Sequence, residues 1–306
     1  MPDKHQLDLE SLLACPDCGS DMVKVRDEMK CAGCKNVFEI RDGIPILFPA
    51  DFDNSHLREE ETLAEMMKIP EISAKERFYL GQWRQSKKEF WSVVAQNIGP
   101  APKIMVNIGC GRDDSFRQFQ DLGHFIVNFD IVYEMLDSLK LEYGARYCVA
   151  GDVKSLPFRK GTCDYLICID LIHHESERLQ QLLKRFRELL KPSGALFLED
   201  ANAWGMFQFP KSVLMPRSVH RSLRSFYHNS FKHSEQRPAD YEFPTNPFKV
   251  RRILEQVGFS KIVFFDNHAY PNCHERAYKF YEFFGSSERI AKFHNYHYML
   301  MARPGE

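Results

Sequence analysis

Four cysteines near the start of the chain form two closely spaced pairs, Cys15 with Cys18 and Cys31 with Cys34. Thiolates at this spacing can close a tetrahedron around zinc, because each C-x2-C pair supplies two ligands from a tight turn. The alternative is a pair of redox-active dithiols, but such a pair normally begins a helix, and no helical pattern follows either one. Since all four ligands would be cysteine, no coordination position would stay open for a substrate. The sequence therefore predicts a structural zinc site.

A glycine turn made of Gly109, Cys110 and Gly111 follows an apolar run that is typical of a buried strand. Glycine lets the backbone approach a ligand closely, and the helix expected next would present backbone N–H groups. Asp130 ends the following apolar run, about twenty residues on, where a carboxylate can accept both ribose hydroxyls. This order is typical of a nucleotide-type cofactor site. Asp114 stands where a third glycine would be in G-x-G-x-x-G, which disfavours a dinucleotide.

Two further acids and a pair of histidines follow later apolar runs. Asp152 comes after one run, Asp170 ends the next, and His173 and His174 come shortly after it. In a parallel sheet these positions lie at the carboxyl edge, where ligands bind. A neutral imidazole there can take a proton from a hydroxyl or an amine, so both histidines are candidate general bases. The alternative is that one ring only packs or caps the next helix, because positioning alone can accelerate a group transfer.

A basic and aromatic stretch lies between residues 211 and 237. Such a patch suits an anionic or phosphorylated acceptor, because arginine can hold phosphate through two hydrogen bonds. The alternative is an ordinary solvated helical segment. A nucleic-acid site would be expected to show a broader basic surface. The candidate acceptor-binding residues are Arg217, Arg221, Arg224, Tyr227 and His228.

The overall composition limits the partners of the chain. Its 306 residues include 41 lysines and arginines against 42 acids, and this balance does not indicate a nucleic acid or an acidic membrane. No apolar run approaches the roughly 18 residues of a membrane span, and the N-terminus is too polar for a secretory signal. We expect a cytoplasmic protein with reduced core thiols. The thiols are scattered through the chain, at Cys110, Cys148, Cys163, Cys168 and Cys273.

Residues 51–98 are typical of a helical bridge. Their first part is acidic and weakly apolar, and from Ala74 onward apolar side chains can share one helical stripe. This helix either packs against the main domain or forms a lid over the cofactor, with Tyr79 or Trp83 lining it. The stripe consists of Phe78, Trp83, Phe90, Trp91 and Val94.

The N-terminal segment resembles a family of small zinc ribbons. Residues 12–48 contain the phrases LLACPDCGSDM, CAGC and FEIRDGIPILF. These phrases are similar to those of the zinc-ribbon proteins that bind and activate methyltransferases of tRNA, rRNA and translation factors. In that family the ribbon is usually a separate chain. The resemblance therefore implies a ribbon that is fused to its own enzyme, with its stabilising role internal.

The next segment resembles the class I S-adenosylmethionine-dependent methyltransferases of the type 11 kind. Residues 104–200 carry, in family order, V-x-I-G-C-G, F-D, G-D-x-x-x-L-P-F, C-D-Y-L-I-C-I-D-L-I-H-H and L-K-P-S-G-A-L-F-L-E. The resemblance implies an α/β fold with a Rossmann-like, mostly parallel sheet of seven strands and helices on both faces. It also implies S-adenosylmethionine as the methyl donor.

The resemblance assigns donor contacts to particular residues. The family often has an acid two residues before the first glycine, where this chain has Asn107, which offers no charge to the methionine ammonium. Asp113 or Asp114 would have to compensate. By resemblance, Gly109 and Gly111 face the methionine part, Asp130 the ribose, Asp152 the adenine amino group, and Asp170 and Leu171 the sulfonium, with Asn107, Cys110, Ile131 and Val153 as neighbouring contacts.

These features divide the chain into a zinc ribbon at 1–50, a helical linker or lid at 51–98 and a methyltransferase domain at 99–306. An insertion at about 201–247 would recognise the acceptor. We expect methyl transfer to oxygen or nitrogen of a small or medium acceptor of the sugar or natural-product kind, including anionic ones. Two alternatives stay open: an RNA or protein methyltransferase, which the ribbon suggests, and a non-catalytic donor-binding scaffold, which Asn107 suggests.

Overall fold

The computed structural model describes residues 7–53, 87–205, 244–265 and 297–305. Within these ranges, no helix is long and apolar enough to cross a membrane. Several sequence-based expectations fall outside the described residues, namely those for Phe78, Tyr79, Trp83, Cys273 and the acceptor candidates Arg217, Arg221, Arg224, Tyr227 and His228.

The N-terminal residues form a small antiparallel meander. Its second and third strands alternate exposed and buried side chains, as expected when one face of a sheet covers a core and the other meets solvent. Met29 and Phe38 are among the buried side chains. The four strands are β1 (Met22–Val25), β2 (Glu28–Cys31), β3 (Val37–Arg41) and β4 (Ile44–Leu47).

The main sheet has the Rossmann-like architecture that the sequence predicts. Its seven strands lie in the order β7-β6-β5-β8-β9-β11-β10, and all neighbours are parallel except the two pairs that contain β11. The central strands are almost wholly buried, because helices cover the faces of a parallel sheet. The strands are β5 (Ile104–Ile108), β6 (Phe125–Asp130), β7 (Tyr147–Gly151), β8 (Cys163–Ile169), β9 (Leu190–Ala201), β10 (Phe259–Phe265) and β11 (His297–Pro304).

The helices each bury an apolar stripe against the core. In the fourth helix this stripe includes Leu182, Leu183 and Phe186, as the periodicity predicts. The helix expected after the glycine turn is only a short one, preceded by a 3-10 turn. The described helices are α1 (residues 87–97), α2 (Arg117–Asp121), α3 (Tyr133–Tyr143), α4 (Leu179–Leu189) and α5 (Pro247–Gln256).

One boundary differs from the sequence-based expectation. The apolar stripe predicts a helix that continues to Lys191 and a strand that begins at Ala195, whereas α4 ends at Leu189 and β9 begins at Leu190. Pro192 explains the difference. Proline cannot continue a helix, and it drives the residue before it into extended backbone.

The ribbon is continuous with the main sheet. Strand β4 pairs in parallel with β7, and Leu47 lies opposite Gly151, so the described residues form one sheet of eleven strands. Ribbon side chains such as Phe38 and Leu47 belong to the same apolar cluster as Val149 and Phe158 of the main domain. The ribbon therefore covers an edge of the main sheet that would otherwise present unpaired backbone groups.

Gly151 offers a test of this junction. A Cβ at this position would lie 2.9 Å from the Leu47 carbonyl oxygen and 3.0 Å from the Phe129 ring. Gly151→Ala should therefore lower the free energy of unfolding by about 1–3 kcal/mol, as overpacking does. Urea unfolding monitored by circular dichroism measures the change.

Gly99→Ala is the matched control for the junction. A Cβ at Gly99 would meet only the Lys103 and Tyr165 side chains, at 3.4 and 3.6 Å, so this variant should keep wild-type stability within about 0.5 kcal/mol. Equal stabilities of the two variants would contradict a tightly packed junction between β4 and β7.

Candidate functional site

The four cysteine sulfurs converge in the ribbon. The Sγ atoms of Cys15 and Cys34 lie 3.6 Å apart, those of Cys18 and Cys31 lie 3.4 Å apart, and all four lie within 4.8 Å of one another. Sulfurs about 2.3 Å from a tetrahedral zinc ion are about 3.8 Å from one another, so the cluster is compatible with zinc. The N–H groups of Gly33 and Cys34 point to the Cys31 sulfur, at 3.3 and 3.4 Å, and stabilise a thiolate there.

The glycine turn lies directly against the residues that follow β8. Gly109 and Gly111 have left-handed backbone, with φ of 67° and 52°. A Cβ at Gly109 would lie 3.1 Å from the Leu171 side chain, so this position requires glycine. The N–H groups of Gly109 and Cys110 both donate to the Phe129 carbonyl, at 2.8 and 3.2 Å. The turn is thereby fixed as a tight cradle at the carboxyl edge of the sheet.

Asp130 fastens this turn. Its two carboxylate oxygens accept the N–H groups of Gly111 at 2.7 Å and Val132 at 3.0 Å. Burial raises the pKa of Asp130, and the backbone donors partly offset this effect. Asp152 acts similarly on a smaller scale, because it accepts the Lys154 N–H at 2.9 Å. Each carboxylate oxygen has a second lone pair, so contacts of these acids with a ribose and an adenine stay predictions.

The two polar residues nearest the turn have protein partners. Asn107 is buried within β5, and its amide nitrogen lies 3.3 Å from the Asn128 amide oxygen of β6. Asp113 accepts the indole N–H of Trp91 at 2.7 Å and the Ser115 N–H at 3.0 Å. Helix α1 therefore holds Asp113 beside the turn. Of the other donor-site candidates, Cys110 is buried and Ile131, Val153 and Leu171 are partly buried.

His173 is the better placed of the two candidate bases. Its Nδ1 lies 2.7 Å from the Asp200 carboxylate at the end of β9. The other Asp200 oxygen accepts the Thr245 hydroxyl at 2.6 Å, and that hydroxyl lies 2.7 Å from the Tyr298 hydroxyl. The His174 ring packs against the His173 ring at a tilt of 35°, with ring centroids 4.1 Å apart. The sequence did not separate the two histidines, whereas the geometry gives His173 the carboxylate that orients it.

Beside the hydrogen bonds that link His173, Asp200 and Thr245 lies a cluster of four ionisable groups. Lys87 of α1 and His297 of β11 lie 3.3 and 3.4 Å from the two carboxylate oxygens of Asp170. The other ring nitrogen of His297 lies 3.0 Å from Glu199 of β9, and Lys87 lies 3.9 Å from the second Glu199 oxygen. Burial would raise the pKa of Asp170, but His297 and Lys87 outweigh it and hold that pKa well below its usual range.

The spacing of Asp170, His173 and Asp200 would also suit a metal ion, since one ligand atom from each lies within 4.8 Å of the others. However, both oxygens of Asp200 and both of Asp170 already lie next to protein donors. We therefore interpret this group as a hydrogen-bond and ion-pair network.

Sequence reasoning missed most of these partners. Glu199 and Asp200 had a signal, because two consecutive acids close an otherwise apolar strand, and buried acids need partners. Lys87 and His297 had none. They belong to segments far from the recognised motifs, and only the folded chain brings them to Asp170.

Comparison with known proteins agrees with this fold. Residues 106–198 match the family described as "Methyltransferase domain". Over 112 residues the chain is 30% identical to the mouse tRNA (carboxymethyluridine(34)-5-O)-methyltransferase ALKBH8, a match that covers 36% of this chain and 16% of the relative. Over 137 residues it is 28% identical to a putative methyltransferase of Encephalitozoon cuniculi, which covers 42% of this chain and 61% of the relative. The chain thus spans less than two thirds of either relative.

Two solved structures share the fold. One is the complex between the Haloferax volcanii Trm112 methyltransferase activator and the putative methyltransferase, with a TM-score of 0.52, 12% identity and coverage of 81% of this chain and 97% of that one. The other is a possible exported protein from Bordetella parapertussis, with a TM-score of 0.51, 18% identity and coverage of 79% of each chain.

The cysteine cluster predicts that the zinc content of the protein depends on its four sulfurs. Replacing Cys31 and Cys34 together by serine removes two of four ligands, so zinc content should fall from about one ion per chain to near zero. Elemental analysis of protein dialysed against a mild chelator measures this loss. Cys148→Ser, which removes a buried thiol outside the ribbon, should keep wild-type zinc. Full zinc content in the double variant would contradict the zinc assignment.

The matched family covers the strands that carry the glycine turn, Asp130, Asp152 and Asp170. The four-cysteine ribbon lies N-terminal to it and extends the same sheet. The chain therefore contains a segment that matches the methyltransferase domain family, joined to a ribbon whose four cysteines are compatible with zinc.

Proposed function

We propose that this protein transfers a methyl group from S-adenosylmethionine to a hydroxyl oxygen or amine nitrogen of a small or medium acceptor. The observation that carries the proposal is the pairing of His173 with Asp200 at the sheet edge that also holds the glycine turn. In open α/β sheets, ligands bind outside the carboxyl ends of the strands. The proposed proton acceptor and the proposed donor cradle would therefore lie at the same edge.

The donor half of the proposal depends on the cradle around Gly109. The turn has left-handed backbone, and at Gly111 the nearest heavy atom that a Cβ would meet is the Met135 sulfur, at 4.0 Å, so the backbone there suits close approach of a ligand. Gly109, Gly111, Asp130 and Asp152 would hold the donor, with Leu171 packed behind the turn. S-adenosylmethionine, when bound, supplies a methyl group activated by its sulfonium.

His173 would act as the general base on the acceptor. In the neutral ring with Nδ1–H donating to Asp200, the lone pair is on Nε2, which can take the proton of a hydroxyl or an ammonium. Asp200 holds this tautomer and stabilises the imidazolium that proton transfer creates. Thr245 in turn fixes Asp200 through its second oxygen. The ring is only partly exposed, which limits access of water to the transferred proton.

The charge of the described site favours a small acceptor whose reacting group is neutral or cationic. Asp170, Glu199 and Asp200 lie at this edge against Lys87 and His297, which leaves an excess of one negative charge when His173 is neutral. A phosphate directly at the reacting position would be repelled. A sugar or natural-product hydroxyl meets this requirement, and phosphorylated groups elsewhere on it would be held by the arginines proposed at 217, 221 and 224.

RNA methylation is the second candidate. The similarity to the mouse tRNA methyltransferase supports it, although that match covers 36% of this chain. The fold shared with the Trm112 complex is consistent with either candidate.

As part of the proposal we place the protein in the cytoplasm, because the eight described cysteines form no disulfides with one another.

Transfer of tritium from methyl-labelled S-adenosylmethionine tests the proposal. Full-length, zinc-loaded protein is incubated separately with a panel of phenols, sugars and amino sugars, with total tRNA, and with an undermodified protein extract. We expect label in the small-molecule fraction. Label in tRNA alone would establish the second candidate, and saturable donor binding without label in any fraction would indicate a non-catalytic scaffold.

His173→Gln tests the base on the acceptor that this panel identifies. It should lower kcat about 100-fold or more, because general-base catalysis contributes at least that much, while donor affinity stays unchanged. His174→Gln is the control and should have a much smaller effect. An equal loss in both variants would contradict the role of the His173–Asp200 pair.

A further inference from the structure

We propose that Lys87 and His297 are positioning residues of the methyl-transfer site, which together hold the Asp170 carboxylate in place beside His173 for contact with the acceptor. This inference rests on the proposed function. It concerns two residues that no motif singles out and that lie outside the matched methyltransferase segment. Both residues belong to the four-group cluster of Lys87, Asp170, Glu199 and His297.

Each member of the cluster comes from a different part of the fold. Lys87 lies on α1, Asp170 follows β8, Glu199 lies in β9 and His297 begins β11. Asp170 receives one cation on each carboxylate oxygen, so its side chain is held from two sides. Rotation of the carboxylate would break both contacts at once.

His297 carries a positive charge in this arrangement. Its Nε2 lies 3.4 Å from Asp170 and its Nδ1 lies 3.0 Å from Glu199. A neutral imidazole has one N–H, whereas an imidazolium has two and can donate to both carboxylates. Burial would lower the pKa of His297, but Asp170 and Glu199 outweigh that effect and raise it. The four groups then carry two positive and two negative charges.

Stability alone does not account for such a cluster. Taking charged groups out of water costs several kcal/mol for each ion, and buried ion pairs are often replaceable by apolar residues without loss of stability. Lys87 and Glu199 are almost completely buried, with side-chain exposures of 6% and 0%. The cluster lies at the edge where the reaction is proposed, which favours a functional role.

Asp170 is the member that faces the site. Its side chain is 26% exposed, more than that of any other member. Its backbone has a φ of 52°, a left-handed conformation that is strained for a residue other than glycine and is typical of functional positions. Its N–H donates to the Glu199 carbonyl at 3.0 Å, which fixes the backbone in this conformation.

The distance between Asp170 and His173 indicates what the carboxylate does. A ring nitrogen of His173 and an oxygen of Asp170 lie within 4.8 Å of each other. One acceptor amine placed beside them could reach both groups, because each hydrogen bond spans about 2.8 Å and a primary amine or its ammonium form has more than one N–H to donate. Asp170 would accept one N–H and align the acceptor nitrogen while His173 takes another of its protons. A hydroxyl has a single hydrogen and cannot donate to both groups, so this arrangement favours an amine as the acceptor.

Helix α1 links this alignment to the donor turn. Lys87 and Trp91 are four residues apart and share one helical face. Lys87 contacts Asp170, while Trp91 donates to Asp113 beside the glycine turn at 2.7 Å. One helix thus fixes the donor turn and the acceptor carboxylate relative to each other.

The cluster also predicts a pH dependence. The charged groups that face His297 are Asp170 after β8, Glu199 of β9 and Lys87 of α1. Below the raised pKa of His297, the cluster is balanced. As pH rises through that pKa, the imidazole loses its charge and two carboxylates face one lysine. Turnover should therefore decline on the alkaline side of its pH profile, above the ordinary titration range of histidine.

The first experiment is a proton NMR titration of the His297 ring in the full-length protein, assigned with His297→Gln. We expect a midpoint above that of an ordinary histidine. Asp170→Asn should lower the midpoint because it removes a facing carboxylate, and Lys87→Met should raise it because it removes a facing cation. Lys160→Met, a change at an exposed lysine paired with Glu188, should leave it unchanged. An unshifted midpoint in both cluster variants would overturn the proposed geometry.

The second experiment measures turnover with the acceptor identified in the panel of phenols, sugars and amino sugars. Lys87→Met and His297→Gln should each lower kcat by about 10- to 100-fold, the cost of a misaligned reacting group, with little change in donor affinity measured by calorimetry. His297→Gln should also remove the alkaline decline, and Lys87→Arg should restore part of the rate. Folding of each variant is checked by its thermal transition.

The outcomes separate this inference from the proposed function. The positioning role would be overturned if folded Lys87→Met kept the wild-type turnover and His297→Gln kept the wild-type pH profile. The proposed function would still stand. Absence of turnover in the wild type with every acceptor pool would overturn the proposed function, and the positioning role with it.

Discussion

Carboxylates collect at one edge of this sheet, and each must find donors before it can be buried. The constraint follows from topology, because the parallel strands β6, β8 and β9 all end at this edge. Asp130 is satisfied by backbone N–H groups, and Asp200 by His173 and Thr245. Asp170 and Glu199 lie among the cations of α1 and β11. These solutions differ, and the differences give the edge the separate positions that we propose for the donor, the base and the alignment of the acceptor.

The ribbon extends the main sheet beyond its terminal strand β7. Its strand β4 completes the edge next to β7, and its apolar side chains share the core of the methyltransferase domain. The turn between β3 and β4 also reaches α3, where the Tyr133 hydroxyl donates to Asp42 at 2.9 Å. Helix α3 begins just after Asp130. Fusion in one chain therefore makes the ribbon a structural part of the domain that holds the donor turn.

Local patterns in the sequence predicted the features that depend on local chemistry. The C-x2-C spacing predicted the convergence of four sulfurs, the glycine turn between apolar runs predicted the strand–turn unit, and the family resemblance implied the mostly parallel sheet. The end of α4 was predicted too late, although Pro192 carried the information.

Contacts between distant segments were beyond sequence reasoning. Lys87 and His297 are separated from Asp170 by 83 and 127 positions, and nothing in their own neighbourhoods marks them. Asp113 or Asp114 was expected to compensate for Asn107, which stays a prediction, and the structure adds that Trp91 donates to Asp113. In each case a side chain from α1 or β11 decided the outcome, and the position of such a chain is a property of the whole fold.

The central claim is that the edge around Gly109 and Asp130 binds S-adenosylmethionine. Calorimetric titration of the full-length protein with S-adenosylmethionine tests it most directly. The account predicts saturable binding of about one donor per chain, weakened about tenfold or more in Asp130→Asn, since the carboxylate that fastens the turn and would accept the ribose hydroxyls is lost. No saturable binding by the wild type, or an unchanged affinity in Asp130→Asn with the fold intact, would contradict it.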